Sequence, residues 1–301
     1  MEQFYEKLDE LYNAGDLKAV EEFILSGIMD AGEGTVRSAG LLNELAAFYR
    51  GVSRYDESED AFVRSMNLFE SSGMGASPQY ATVLLNLAGL YRIKGEADKA
   101  LALFLDAIDK LEAAGASDSY AYTSVLNNTA LAYQEKGEHS KALTLAEAAL
   151  ERMRTGDSNE HEIATSLSNL AAIHISLGDA AKADECINES LSIYDAMPSP
   201  DVHHAAALTT KAVIRARAGE HREALEGFKQ ATELTRHFFG ENIEYAACKS
   251  NIAEVYQLLG DTASAVKEMA EATRIYERLL GKNHDTALNA KKKLLAMQSE
   301  V

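Results

Sequence analysis

Residues 84–107 read LLNLAGLYRIKGEADKALALFLDA, and this one stretch holds two helices and the turn between them. Leu84, Leu87, Ala88 and Tyr91 stand at i, i+3, i+4 and i+7, which places them on one face of a helix. Gly95 ends that helix. A second amphipathic run follows, with Ala100, Phe104, Ala107, Ile108 and Leu111 at helical intervals and Gly115 beyond it. The unit reads as a helical hairpin. Ala88, Ala100 and Ala107 mark the crossing, because helix axes only about 8–10 Å apart leave little room for side chains.

The same punctuation recurs on both sides of this stretch. A turn residue followed five positions later by a small residue occurs at Ser53/Ser58, Gly95/Ala100, Gly137/Ala142, Gly178/Ala183, Gly219/Ala224 and Gly260/Ala265, with successive offsets of 42, 42, 41, 41 and 41. A period in this range means that each unit is one supersecondary element, which buries its apolar side only by stacking on its neighbours. Stacking makes a long curved surface of the kind that binds other polypeptides.

These residues resemble the tetratricopeptide repeat family. The second unit carries the resemblance in Leu84, Leu87, Ala88, Tyr91, Gly95, Ala100, Phe104 and Ala107. Weaker copies are Leu42-Leu45-Ala46-Tyr49-Ser53-Ser58-Phe62 and Ile252-Ala253-Tyr256-Gly260-Ala265-Met269-Ala272. The resemblance implies an all-α, right-handed superhelix of about seven helical hairpins plus a C-terminal capping helix. The period, longer than the family's usual one, is similar to the subtype found in kinesin light chains, as are Leu126-Asn127-Asn128, Ser168-Asn169-Leu170-Ala171 and the turn Leu280-Gly281-Lys282-Asn283-His284.

The expected organisation is a single array: a degenerate capping hairpin over 1–38, six repeats over 39–281 and a closing helix over 282–301. Phe4, Leu8, Leu11, Gly15, Val20 and Ile24 mark the first hairpin. In the closing helix Asp285 is the expected N-cap, Leu288, Leu294 and Leu295 the apolar residues, and Lys291–Lys293 lie where the helix dipole favours cations. Met197-Pro198-Ser199-Pro200 is the one break in the pattern: Pro198 ends a helix, and Ser199 and Pro200 are expected to start the next as N-cap and N1. It reads either as punctuation or as a hinge. Ser77-Pro78 is the same device before the second repeat.

Composition narrows the function. With 47% apolar and 25% charged residues and three prolines in 301, the chain suits a nearly all-helical globular protein. The acidic Met1-Glu2-Gln3 start and the absence of any apolar run of membrane-spanning length lead to an expectation of a cytoplasmic protein without membrane contact. Cys186 and Cys248 sit in different repeats without a C-x-x-C, so reduced thiols are expected rather than a disulfide or thiolate metal site. A net charge of −18 argues against nucleic acid and favours partners with basic segments, although an acidic surface also serves solubility alone.

The helix face expected to line the groove carries the candidate site. Nine residues before each turn residue the column reads Glu44, Asn86, Asn128, Asn169, Thr210 and Asn251. Three positions further on stand Ala47, Gly89, Leu131, Ala172, Val213 and Glu254, and four positions earlier Gly40, Thr82, Ser124, Thr165, Ala206 and Ala247. The floor is mostly small, with carboxamides rising from it. A carboxamide offers one donor group and one acceptor, matching a peptide unit. First helices about 10 Å apart would let one Asn meet about every third residue of an extended chain, which advances ~3.3 Å per residue. The family resemblance implies the same backbone-contacting role for Asn86, Asn128, Asn169 and Asn251. The competing reading is that these amides only tie neighbouring helices together.

Asn127, Leu131 and Thr165 complete the expected concave surface. Arg50, Arg92 and Gln134 form a flanking column, with Glu135 and Arg217 in the next; the arginines either grip acidic ligand groups or pair with nearby acids. The family's two-carboxylate clamp for chaperone tails is not found. Lys211, Arg215 and Lys249 occupy positions that are Leu or Tyr in the second repeat, and His174 takes a Tyr position. Such cations must find partners, with Glu223 and Glu226 at hand, or form a local anion pocket.

No enzyme and no cofactor are expected. The chain has no phosphate-binding G-x-x-x-x-G-K-[ST], no H-E-x-x-H and no EF-hand loop, and Gly73-Met74-Gly75 follows a helix rather than a strand. His203-His204 lacks further ligands at metal-site spacing, and His139 and His221 share one turn position. The expected function is a non-enzymatic scaffold that holds an extended polypeptide. The alternatives are the ligand-sensing module of a bacterial peptide-responsive regulator and a self-assembling structural repeat protein; a homo-oligomer is compatible with each.

Overall fold

A computed structural model of the chain describes residues 2–156, 160–198 and 201–299. Fifteen helices and no strands occur among the described residues. They divide into two compact units, Met1–Cys186 and Ile187–Val301, with the boundary inside one helix.

The first unit contains α1 (Glu2–Asn13), α2 (Leu17–Ala31), α3 (Val36–Gly51), α4 (Tyr55–Ser71), α5 (Pro78–Ile93), α6 (Ala97–Ala113), α7 (Tyr120–Glu135), α8 (His139–Thr155), α9 (Glu160–Leu177) and the start of α10 (Ala180–Ala196). Two serine hydroxyls show that α3 and α4 are antiparallel. Ser58 Oγ donates to the Ala46 carbonyl and Ser65 Oγ to that of Ala39, both at 2.7 Å, so the partner number falls as the donor number rises. Phe62, Leu84, Phe104 and Leu111 are fully buried in one core with Ala88, Ala100 and Ala107, the small residues that let the helices approach. The α1–α2 hairpin adds Leu8, Val20 and Ile24 to Leu45, Phe48 and Tyr49 of α3.

The second unit contains the rest of α10, then α11 (Val202–Arg217), α12 (His221–Phe239), α13 (Ile243–Leu258), α14 (Thr262–Leu280) and α15 (Asp285–Gln298). Its cores are built by Ala224, Phe228 and Ile252 and by Tyr245, Met269, Ile275 and Tyr276.

The turns follow the expected chemistry. Gly95, Gly137, Gly178, Gly219 and Gly260 all have φ between 76° and 81°, and Ser53 keeps the same left-handed turn at φ 61° as the sole non-glycine among the described residues to do so. Ser77 caps α5 with Pro78 at the first helical position.

Three expectations about helix ends are corrected. The N-cap of α15 is His284, whose Nδ1 accepts from the Thr286 amide at 3.2 Å, and Asp285 is already helical. The buried face of α15 is Ala287, Ala290 and Met297 beside Leu294; Leu288 and Leu295 are exposed, because they point away from α14. Ser199 and Pro200 lie outside the described residues, as does that part of the 197–200 break, and α11 is instead capped by Asp201, which accepts from the His203 and His204 amides at 2.8 and 2.9 Å.

Candidate functional site

In the first unit α3, α5, α7 and α9 are neighbours at one-repeat spacing, and polar side chains stitch them together. Arg50 Nη1 donates to the Asn86 carbonyl at 3.1 Å, Arg92 Nη1 to Glu135 Oε1 at 2.5 Å, and Gln134 Nε2 to the Ala172 carbonyl at 2.9 Å. The flanking column therefore latches each of these helices to the next. Gly89 is part of the first latch: a Cβ there would stand 2.9 Å from Arg50 Nη1.

The carboxamide column is partly exposed at Asn86, Asn128 and Asn169, but its members are not equivalent. Asn86 Nδ2 donates to Asn43 Oδ1 at 3.0 Å, so this amide does bridge two helices. Asn128 Nδ2 donates to the Ser124 carbonyl of its own helix at 2.9 Å. Asn169 makes no hydrogen bond through its side chain to any described residue. The bridging account thus covers the first member and not the later two. Leu131 and Ala172 are half-buried beside them, and Thr165 Oγ1 is held by the His161 carbonyl at 3.0 Å. Asn127, expected on the same surface, is only 4% exposed: one residue from Asn128 along a helix is about 100° round its axis, which turns Asn127 inward.

Glu44, which interrupts the column, is covered by the first hairpin. It accepts from Tyr5 Oη at 3.4 Å. Burial pushes the Glu44 carboxyl above its ordinary value, and hydrogen bonds from Asn43 and Tyr5 oppose the shift without cancelling it. Burial and then the Glu44 charge raise the Tyr5 hydroxyl to about 12, and Tyr12 is raised in the same way. Sequence reasoning missed this contact. The available signal was the pair Tyr5 and Tyr12, seven residues apart on one face of α1.

In the second unit Asn251 repeats the column on α13, half-buried and without a side-chain hydrogen bond to described residues, whereas Thr210 Oγ1 bonds the Ala206 carbonyl at 3.1 Å. Arg217 is exposed at the end of α11. The three cations at apolar positions are not one cluster. Lys249 pairs with Glu268 at 2.7 Å and Glu271 at 3.2 Å. Burial works against its charge, but these carboxylates outweigh it and hold the ammonium well above its usual pKa. Arg215 pairs with Glu220 at 2.8 Å and approaches Glu223 at 3.8 Å. Lys211 donates to Asn188 Oδ1 and shares a cleft with Arg215 but not with Lys249.

Other candidates are placed as follows. His204 stacks on Tyr194 and lies 3.5 Å from Asp195, while His203 is exposed. His174 is buried. Cys186 and Cys248 are not joined in a disulfide, and burial raises the Cys248 thiol. Among the described residues no group of three His, Cys, Asp or Glu is placed to hold a metal ion, and no helix is long and apolar enough to cross a membrane.

Comparison with known structures gives the fold a wide kinship at low identity. NprR in complex with its cognate peptide NprX superposes with a TM-score of 0.66 at 15% identity over 99% of this chain and 88% of that one. A Rap protein complexed with competence and sporulation factor gives 0.59 at 15% identity over 99% and 98%. BtubC (BKLC) from P. vanneervenii gives 0.54 at 19% identity over 78% and 93%. No curated protein matches the sequence. The tetratricopeptide repeat model matches residues 37–113, 121–196 and 203–278, which is most of the chain. With its paired antiparallel helices, turn glycines and small crossing residues, this chain belongs to the tetratricopeptide repeat family.

Proposed function

We propose that the chain binds a peptide in extended conformation along the face of the first unit that carries Asn86, Asn128 and Asn169, with Asn251 the equivalent residue on α13. The observation that carries this reading is the state of the amides: Asn169 makes no hydrogen bond to described residues and Asn128 bonds only its own helix, beside the half-buried Leu131, Thr165 and Ala172. An amide kept for packing alone would be expected to bond the next helix, as Asn86 does. Asn128 Oδ1 remains available to accept from a ligand N–H, and Asn169 can both donate and accept.

Among partners, the likeness over nearly the whole chain to NprR bound to its cognate peptide and to a Rap protein complexed with competence and sporulation factor favours a peptide-sensing module over a static adaptor. The net charge of −18 favours ligands with basic segments. This reading includes the cap over 1–38, six repeats over 39–281, the closing helix over 282–301 and a cytoplasmic setting. It also includes the kinesin-light-chain-like subtype, which rests on the 41–42-residue period.

Selection from a random peptide display library tests the proposal. Peptides enriched on the wild-type protein and lost on the Asn128→Ala/Asn169→Ala variant support it. Equal enrichment on both contradicts it.

A further inference from the structure

A cleft of about 570 Å³ opens within the second unit between α10, α11 and α12. Its α11 lining residues include Leu208, Lys211, Ala212 and Arg215, which lie roughly 100–200° round the helix axis from Thr210. The cleft is therefore separate from the carboxamide column.

Its origin is visible in the repeat pattern. Leu87, Tyr91 and Leu103 fill this position in the second repeat, and their counterparts in the fifth are Lys211, Arg215 and Gly227. Three large side chains that close the gap between helices are replaced by two long cations and a glycine. Gly227 keeps α11 and α12 close, since a Cβ there would lie 3.1 Å from that of Ala212. The space lies beside this contact.

The charges in the cleft are sorted by depth. Arg215 is already matched by Glu220 and Glu223. Lys211 is half-buried, and its only polar partner among the described residues is a neutral amide oxygen, that of Asn188. The carboxylates of Glu223 and Asp195 are 71% and 72% exposed at the rim, joined by Glu226. An ammonium in such a site gains more from a carboxylate than from an amide oxygen. A purely anionic ligand would meet the rim acids, and a purely cationic one would meet Lys211.

We propose that this cleft binds a small zwitterion of amino-acid to dipeptide size. Its carboxylate replaces the Asn188 amide on Lys211, its ammonium faces Glu223 and Glu226, and its apolar body rests on Leu191 and Leu208. The volume lies in the range of small-molecule sites, roughly 300–1,000 Å³.

The test is an NMR titration of the full chain with leucylleucine, its N-acetyl form and its C-terminal amide, each up to the order of 1 mM. The zwitterion should shift resonances over residues 188–230, and either blocked form should bind about tenfold more weakly, the loss of one charge-assisted contact. Lys211→Gln should weaken binding by a similar factor. Lys211→Leu, which restores the residue of the second repeat, should keep the fold and abolish binding. Asn128→Ala/Asn169→Ala should leave it intact, which separates this site from the peptide face. No shifts with the zwitterion, equal binding of the blocked forms, or binding unchanged in either Lys211 variant would overturn the proposal.

Discussion

The Arg50 guanidinium reaches over Gly89 to the backbone carbonyl of Asn86, 3.1 Å away and one repeat further along the chain. Gly89 lies inside a helix, where glycine costs about 1 kcal/mol relative to alanine. Its retention is explained by the latch. Gly89→Ala should destabilise the protein by about 1 kcal/mol, because the displaced charge-assisted bond outweighs the gain in helix propensity. In an Arg50→Ala background the same change should stabilise by about 1 kcal/mol. Urea unfolding of the four proteins measures this change of sign.

Lys249 and Glu268 stand where the second repeat has Leu84 and Leu103. Each is only 16% exposed through its side chain, and they form an ion pair at 2.7 Å. Lys249→Leu alone should cost about 2–3 kcal/mol, since it strands Glu268 beside Glu271; Lys249→Leu with Glu268→Leu should recover most of that loss. Thermal melts of the two variants check it.

Burial raises the Glu44 carboxyl pKa in the folded state. The unfolded chain therefore releases this proton at lower pH than the folded one. The favourable balance is complete below the ordinary carboxyl value of the unfolded chain, about 4.3, and is lost as pH rises through the higher folded value. Glu44→Gln should raise the melting temperature at pH 7, and the gain should vanish near pH 4. A pH series of melts on both proteins gives the comparison.

Ser53 holds the left-handed turn at φ 61° that glycine holds in the other repeats. A non-glycine residue there costs about 1 kcal/mol. Ser53→Gly should stabilise by up to about 1 kcal/mol, measured as a shift of the urea midpoint at constant slope.

The repeat was legible because its signals are local. Apolar spacing in residues 84–107 and the regular turn positions depend on a single helix or turn, and the structure reproduces them. Contacts between repeats were not legible in the same way. Nothing in the spacing of Arg50 and Asn86, 36 residues apart, distinguishes a latch from a ligand-gripping side chain. Asn127 and Asn128 have equal propensities, and only the rotation of α7 turns one inward. The fifth-repeat cleft had a partial signal in Lys211 and Arg215, but it needed Gly227 to be set against Leu103, a comparison across two helices.

The most direct measurement is calorimetric titration of a library-selected peptide into the wild-type protein and the Asn128→Ala/Asn169→Ala variant, with melting temperatures recorded for both. Two backbone-directed hydrogen bonds lost without a change in fold should weaken affinity by at least about tenfold, or roughly 1.4 kcal/mol, at an unchanged melting temperature. Equal affinity for the two proteins would contradict the claim that these amides read the peptide backbone.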